Sequence, residues 1–184
     1  MDVTLGMLHI VPALQHTDLL AAPVSVALLS LPHAQEVGVA EIDASLSDTA
    51  AFCDHYHVAL DRAANCVVLE AKRGDTSRFV ACVILATTRA DINGLVRRTL
   101  DVRKVSFAPM DQAVAQTGME YGAITPVGLP PEWTILIDKA VVDTDHVIIG
   151  GGVRGSKLAV PGSFLATLPN TQVLDGLGQV KPVI

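Results

Sequence analysis

The sequence predicts an α/β protein: one mixed, strongly twisted, partly barrel-like sheet with helices packed on it. Three observations carry this. Residues 65–71 and 78–87 are two β-branched, apolar runs flanking Lys72-Arg73-Gly74-Asp75-Thr76-Ser77, which is hairpin chemistry. Strand-like runs outnumber helical ones along the 184 residues. Hairpin spacings also alternate with crossover-length connections, so parallel and antiparallel pairings are expected together.

The elements follow in chain order. Residues 18–31 are predicted as a helix with Asp18 as N-cap, Pro23 being tolerable only in the first turns. Residues 35–42 are a candidate strand, and 47–56 a helix capped by Ser47 or Asp48. After the hairpin, Asp91 can cap a helix whose Ile92, Leu95, Val96, Thr99 and Leu100 share one face, with Arg97 and Arg98 pointing away. Residues 104–107 form a short strand. Residues 110–117 form a short helix, with Met110, Ala113 and Val114 inward and Gly118 at its C′ position. Strands are expected at 134–138, 146–150, 157–160 and 171–174, with a helical turn near 163–168. The domain reading is a single unit over 1–184, with a helix and hairpin extension in 1–46 and a core in 47–174.

Composition narrows the function. Half of the residues are hydrophobic and 17% charged, which excludes a disordered chain. Aromatics make up 4%, so Val, Leu, Ile and Ala must build the core. The net charge is −6, with a pI near 5.4, so any nucleic-acid contact must come from a local basic patch, for which Arg97, Arg98, Arg103 and Lys104 are the candidates. An ordinary solvated helix face accounts for the same residues. Cys53, Cys66 and Cys82 are odd in number and lack a CxxC pairing, which suits a reducing, cytoplasmic compartment. Pro12, His16, Asp18 and Pro23 interrupt the N-terminal apolar stretch, which argues against a signal peptide or a membrane span there.

Three segments could carry chemistry. Residues 117–130, TGMEYGAITPVGLP, cannot be a helix interior or a central strand. Their glycines would let the backbone approach a ligand and aim N–H groups at it, and their prolines would stiffen the loop, as an oxyanion site requires. A long surface connection has the same composition. Residues 150–155, GGGVRG, match GxGxxG, with Asp175 about where a ribose-binding acid would stand. Pro161-Gly162 interrupts the helix that a dinucleotide site needs, so a tight turn lining a pocket is the better reading, with Arg154 or Lys157 facing an anionic ligand. His55 and His57 could ligate a metal only on a strand or loop, and no further His or Cys cluster completes such a site. His146 beside Asp145 is either an acid/base pair or a strand-end histidine.

Taken together, these residues resemble a known family. The hairpin, the Asp-capped helix carrying Arg97-Arg98, Lys104-Val105-Ser106-Phe107-Ala108-Pro109, then Thr117-Gly118 and Gly122-Ala123-Ile124-Thr125-Pro126-Val127-Gly128-Leu129-Pro130, and finally Gly150-Gly151-Gly152-Val153-Arg154-Gly155-Ser156-Lys157-Leu158, are similar to the YbaK/prolyl-tRNA synthetase editing-domain family, over about residues 47–174. The resemblance implies a trans-acting deacylase that hydrolyses the ester of a mischarged, prolyl-type tRNA, with the aminoacylated 3′ end as partner. It implies no metal and no cofactor. The Gly/Pro loop would hold the ester through backbone groups while water attacks with help from the terminal ribose hydroxyl. The candidate catalytic residues are then Asn65, Lys157, Gly118 and Gly122. The candidate substrate-binding residues are Thr125, Pro126, Gly128, Gly150, Gly151, Gly152 and Arg154, and Arg97, Arg98 and Lys104 are candidates for tRNA backbone contact. A homodimer is compatible with the sequence.

One departure stands out. The family usually carries a lysine near the start of the first hairpin strand, where this chain has Asn65, which can hydrogen-bond an oxygen but brings no charge. The chain would then act on a different substrate, draw a replacement cation from Lys157, or keep binding without catalysis.

Overall fold

A computed structural model describes residues 5–180. The elements are β1 (Val11–Pro12), α1 (Ala22–Leu28), β2 (Gly38–Glu41), α2 (Thr49–His55), β3 (Ala64–Arg73), β4 (Thr76–Leu85), β5 (Thr88–Ala90), a wide π-type turn Ile92–Val96 running into α3 (Arg97–Thr99), β6 (Lys104–Phe107), α4 (Met110–Thr117), β7 (Thr134–Asp138), α5 (Lys139–Val142), β8 (His146–Gly150), β9 (Ser156–Pro161), α6 (Gly162–Leu165), β10 (Thr171–Leu174) and β11 (Gly178–Val180).

The expected mixed sheet is present, in the order β10-β7-β4-β3-β6. Its β10–β7 and β7–β4 pairings are parallel, and β4–β3 and β3–β6 antiparallel. A second, antiparallel sheet runs β1-β2-β9-β8, and a β11-β5 ribbon stands apart. A parallel bridge between Ala63 and Ile148 links the two main sheets, which do not close into a barrel.

Strand alternation divides the core. Ile135 and Ile137 of β7 join Ala81, Val83, Val147, Ile149, Leu158 and Val160 in the central cluster, where Val24 and Leu28 of α1 also pack. Leu136, between them, turns to the other face of the mixed sheet with Leu69, Val80 and Cys82. Val96 and Leu100 cover that face. Each Val, Leu or Ile among them contributes about 1.5–3 kcal/mol by leaving water. Phe52 and Cys53 of α2 pack on Ile148 and Ala159, on the outer side of the second sheet.

Several boundaries differ from expectation, for physical reasons. Asp18 caps no helix and lies in a 3-10 turn, Thr17–Leu19. A helix begun there would carry Pro23 past its first turn, where the missing N–H and the ring disrupt the ladder. Instead α1 begins at Ala22, with the proline in its opening turn. The strand expected at 35–42 shortens to Gly38–Glu41, because a 3-10 turn occupies Ala34–Glu36 behind a left-handed His33. Asp91 does cap its segment, accepting from Gly94 and Leu95 N–H, but the first turn is wound wider than an α-helix. Met110 is not inward: it is 53% exposed, and the buried face of α4 is Ala113 and Thr117, four apart. The short helix α5 and strands β5 and β11 were not expected.

Candidate active site

The site is built where the edge of β3 loses its neighbour. β6 pairs with Leu69, Glu70, Ala71 and Lys72 of β3 and goes no further. The five preceding residues, 64–68, line a cavity of about 410 Å³. Ala108 N–H donates to the Val68 carbonyl at 3.0 Å, so on β3 the even-numbered residues turn their backbone groups away from β4. Cys66 therefore points its N–H and C=O into the gap, a backbone donor already fixed by the ladder on either side.

α2 forms the next wall. Asp48 caps it, its carboxylate accepting from Ala50 and Ala51 N–H at 3.0 and 3.2 Å. The Thr49 hydroxyl donates to Asn65 Oδ1 at 2.6 Å. Ser47, Asp48 and Thr49 all line the cavity, as do Ala108, Met110 and Ala113 around α4, and Tyr121, Gly122 and Ile124 of the Gly/Pro loop.

Lys157 of β9 closes the site, beside Gly150, with which it pairs. Its ammonium donates to the Ser47 carbonyl at 2.9 Å and lies 5.1 Å from the centre of the Phe52 ring. Lys157 is only 6% exposed. Burial pushes its ammonium below the usual lysine value, and Cys53 and Asp48 pull the other way. The cavity thus holds a desolvated cation to which, among the described residues, no carboxylate is bonded, able to interact strongly with charge that develops nearby.

The thiols are poor nucleophiles here. Burial pushes Cys66, in the cavity wall, and Cys53, behind Lys157, upward from the usual thiol value, and carries Cys82 to about 12. Among the described residues, no three His, Cys, Asp or Glu side chains gather as a metal site. His55 and His57 stand outside the cavity; His57 and His146 line a separate groove, where His146 Nδ1 lies 3.1 Å from Asp145.

Of the residues expected at the site, the structure brings Asn65, Lys157, Gly122 and Gly150 to this one cavity. The others lie elsewhere. Gly118 ends α4 in a left-handed conformation, its N–H donating to Val114. Thr125 is fully buried, its hydroxyl without a hydrogen-bond partner among the described residues. Pro126 and Gly128 line a small apolar cavity of about 120 Å³ with Ala27 and Leu31. Gly151 packs against Ser156, and Gly152 against Ala21 and Val24. Arg154 does not line the cavity; its guanidinium donates to the Ala44 carbonyl at 3.2 and 3.3 Å, and its N–H to the Glu120 carboxylate. Arg97, Arg98 and Lys104 are exposed and outside the cavity.

In the sequence Ser47 and Asp48 read only as helix caps, and nothing there marks Thr49. A cap beside a strand edge leaves no separate sequence signal, because the contact is made in three dimensions. The GGGVRG segment is the turn of the antiparallel β8–β9 hairpin, which excludes the strand-to-helix geometry of a dinucleotide site.

The aminoacyl-tRNA editing domain family matches residues 43–168, and the chain belongs to that family. Its fold is shared by solved structures of low identity. One is a candidate trans-editing enzyme for prolyl-tRNA synthetase, with a TM-score of 0.71 and 19% identity over 84% of this chain and 94% of that one. Another, from work on grafting epitope backbones onto scaffold proteins, has a TM-score of 0.71 and 20% identity over 84% and 95%. A third, described only as a hypothetical protein, has a TM-score of 0.68 and 19% identity over 77% and 90%. No helix among the described residues is long and apolar enough to cross a membrane.

Proposed function

We propose that this protein hydrolyses the ester of mischarged, prolyl-type aminoacyl-tRNA in the cavity between β3, α2, Gly122 and Lys157. The observation that carries the reading is the convergence of Asn65 and Lys157, distant in sequence, on one cavity in a chain of the editing family. Asn65 stands where the family's lysine is expected, and the Lys157 ammonium supplies a cation to the same space from β9.

The chemistry needs little more. Water adds to the ester carbonyl carbon, and the carbonyl oxygen becomes an oxyanion. Lys157 and the backbone donors of Cys66 and Gly122 stabilise that charge as it forms. The C–O bond to the terminal ribose then breaks, and the ribose oxygen leaves with a proton, freeing the amino acid and the tRNA. An activated ester is served by positioning and oxyanion stabilisation, without a protein nucleophile. A pocket walled by Cys66, Val68, Ala108 and Ala113 selects the amino acid by size, which discriminates by about 10- to 200-fold per methylene. Arg97, Arg98 and Lys104 would meet the tRNA backbone, and the cytoplasm is the compartment this reading assigns.

The test is a panel of mischarged tRNAs. Hydrolysis of at least one ester above its uncatalysed rate is expected, with Lys157→Ala reducing turnover far more than Arg73→Ala, whose partner is the exposed Asp101. Survival of every ester at micromolar protein would refute the reading. A second reading, binding without hydrolysis, is favoured by one observation: the Asn65 side chain is already engaged by Thr49. Calorimetry with a nonhydrolysable aminoacyl-adenosine analogue separates the two, since only the second predicts binding with no turnover of the matching ester.

A further inference from the structure

The chain holds four Phe, two Tyr and one Trp. Five of these seven are withdrawn from solvent. Phe52, Trp133 and Phe164 are buried, and Tyr56 and Phe79 are half-buried, the last stacked on Trp133 at 5.3 Å. The two exposed rings are Phe107, 69% exposed, and Tyr121, 61% exposed. Both line the same cavity, together with Met110, 53% exposed. Three large apolar side chains thus remain in water at the rim of the proposed ester site. They come from three different elements: the end of β6, the start of α4 and the Gly/Pro loop.

The rim has little else to attract a polyanion. Among the described residues Lys157 is the one cation lining the cavity, and it is sunk in the wall; the Arg154 guanidinium, held by the Ala44 carbonyl, stands outside that lining, and Asp111 and Glu120 flank Met110 and Tyr121 in sequence. An aminoacyl ester that reaches the cavity carries a ribose and its base immediately outside it. An aromatic rim with few free cations suits the flat face of that base better than phosphate.

We propose that Phe107, Tyr121 and Met110 form a stacking platform for the terminal nucleobase of the tRNA, holding the ribose ester at the mouth of the cavity. The proposal rests on the deacylase reading for the position of the ester, but it concerns binding alone. Stacking of a base on an aromatic ring accounts for about 1–3 kcal/mol, so each ring should matter by about fivefold or more in affinity.

The experiment is calorimetry with two nonhydrolysable 3′-aminoacylamino analogues, one on adenosine and one on the same ribose without a base, run beside the hydrolysis assay. The adenosine analogue should bind the wild-type protein at least about fivefold more tightly than the base-free one. Phe107→Ala and Tyr121→Ala should each cut that preference by about fivefold and the double variant abolish it, with a smaller effect on the base-free analogue, while Tyr121→Phe, which keeps the ring, retains it. Because both side chains are exposed, the alanine variants should fold normally, and circular dichroism checks this. Equal binding of the two analogues, no binding of either, or alanine variants that keep the preference would each overturn the platform. Base-dependent binding without hydrolysis would sink the deacylase reading and leave the platform standing; hydrolysis with base-independent binding would do the reverse.

Discussion

Gly122 and Gly128 belong to one loop, share the same backbone angle (φ +82) and look alike in the sequence, yet they do different things. A Cβ on Gly122 would meet only Arg154 Nη1 and Ser47 Oγ at 3.8 Å, ordinary contact beside the open cavity. A Cβ on Gly128 would sit 2.5 Å from the Pro23 carbonyl oxygen at the start of α1. One glycine faces open space at the cavity; the other leaves room for the start of the protein's own α1. Gly152 falls in the second class, its Cβ position lying 2.6 Å from Ala21 Cβ. The Gly-rich signature thus divides: of these glycines Gly122 alone faces open space at the cavity, while Gly128, Gly152 and also Gly150, whose Cβ position lies 2.4 Å from the Ala123 carbonyl oxygen, serve close packing.

The largest effect expected of this division is at Lys157. Lys157→Met should lower the turnover number by about 100- to 1,000-fold, as removal of one preorganised charge-stabilising group does elsewhere. It should change stability by no more than about 2 kcal/mol, since relief of the buried ammonium offsets the hydrogen bond lost to the Ser47 carbonyl. Single-turnover hydrolysis and urea unfolding read the two quantities, and a large loss of stability would move Lys157 to the packing side.

Next is Gly128→Ala, which should destabilise by about 3 kcal/mol, from left-handed strain plus the clash with Pro23. The folded fraction should keep wild-type kcat. Gly122→Ala should do the opposite: about 1–2 kcal/mol of strain, with kcat/KM falling more than tenfold because the methyl group enters the site. If the two alanine variants behave alike in both assays, the division fails.

pH offers a subtler check. Burial holds the folded Lys157 below its ordinary value of 10.5. Between the folded and unfolded values the unfolded chain binds more protons, so stability from this group rises with pH across that window. Activity that needs the ammonium falls over the same window. Opposite slopes in the two measurements, both flattened in Lys157→Met, are expected once uncatalysed ester hydrolysis is subtracted. The smallest effect is Asn65→Ala, about 1 kcal/mol from the lost Thr49 hydrogen bond, read from the urea midpoint.

Much of the fold was legible because its signals are local. The hairpin turn at Gly74 falls between β3 and β4, and the alternation of Ile135, Leu136 and Ile137 places the two sheet faces. The misplaced start of α1 shows the limit of such signals: Asp18 is an adequate cap, but Pro23 five residues later decides against it. Membership of the candidate cavity was only partly legible. Asn65 and Lys157 stand out in the sequence because one replaces the family's lysine and the other is a candidate for its charge. Phe107, Met110 and Tyr121 were not, since an exposed ring and a buried one look the same in a sequence.

From its sequence alone, the chain is determined as a mixed α/β protein of the editing family, with a Gly/Pro loop and a Gly-rich turn that must pack closely against something. Periodicity, turn chemistry and backbone permissiveness are properties of neighbouring residues and can be read in order. Tertiary structure alone decides what each glycine packs against, that Lys157 reaches across from β9 to the cavity of Asn65, and that β6 stops short and leaves the β3 edge open. Those are contacts between residues far apart in the chain, set by how two sheets and the starts of α2 and α4 meet around a gap.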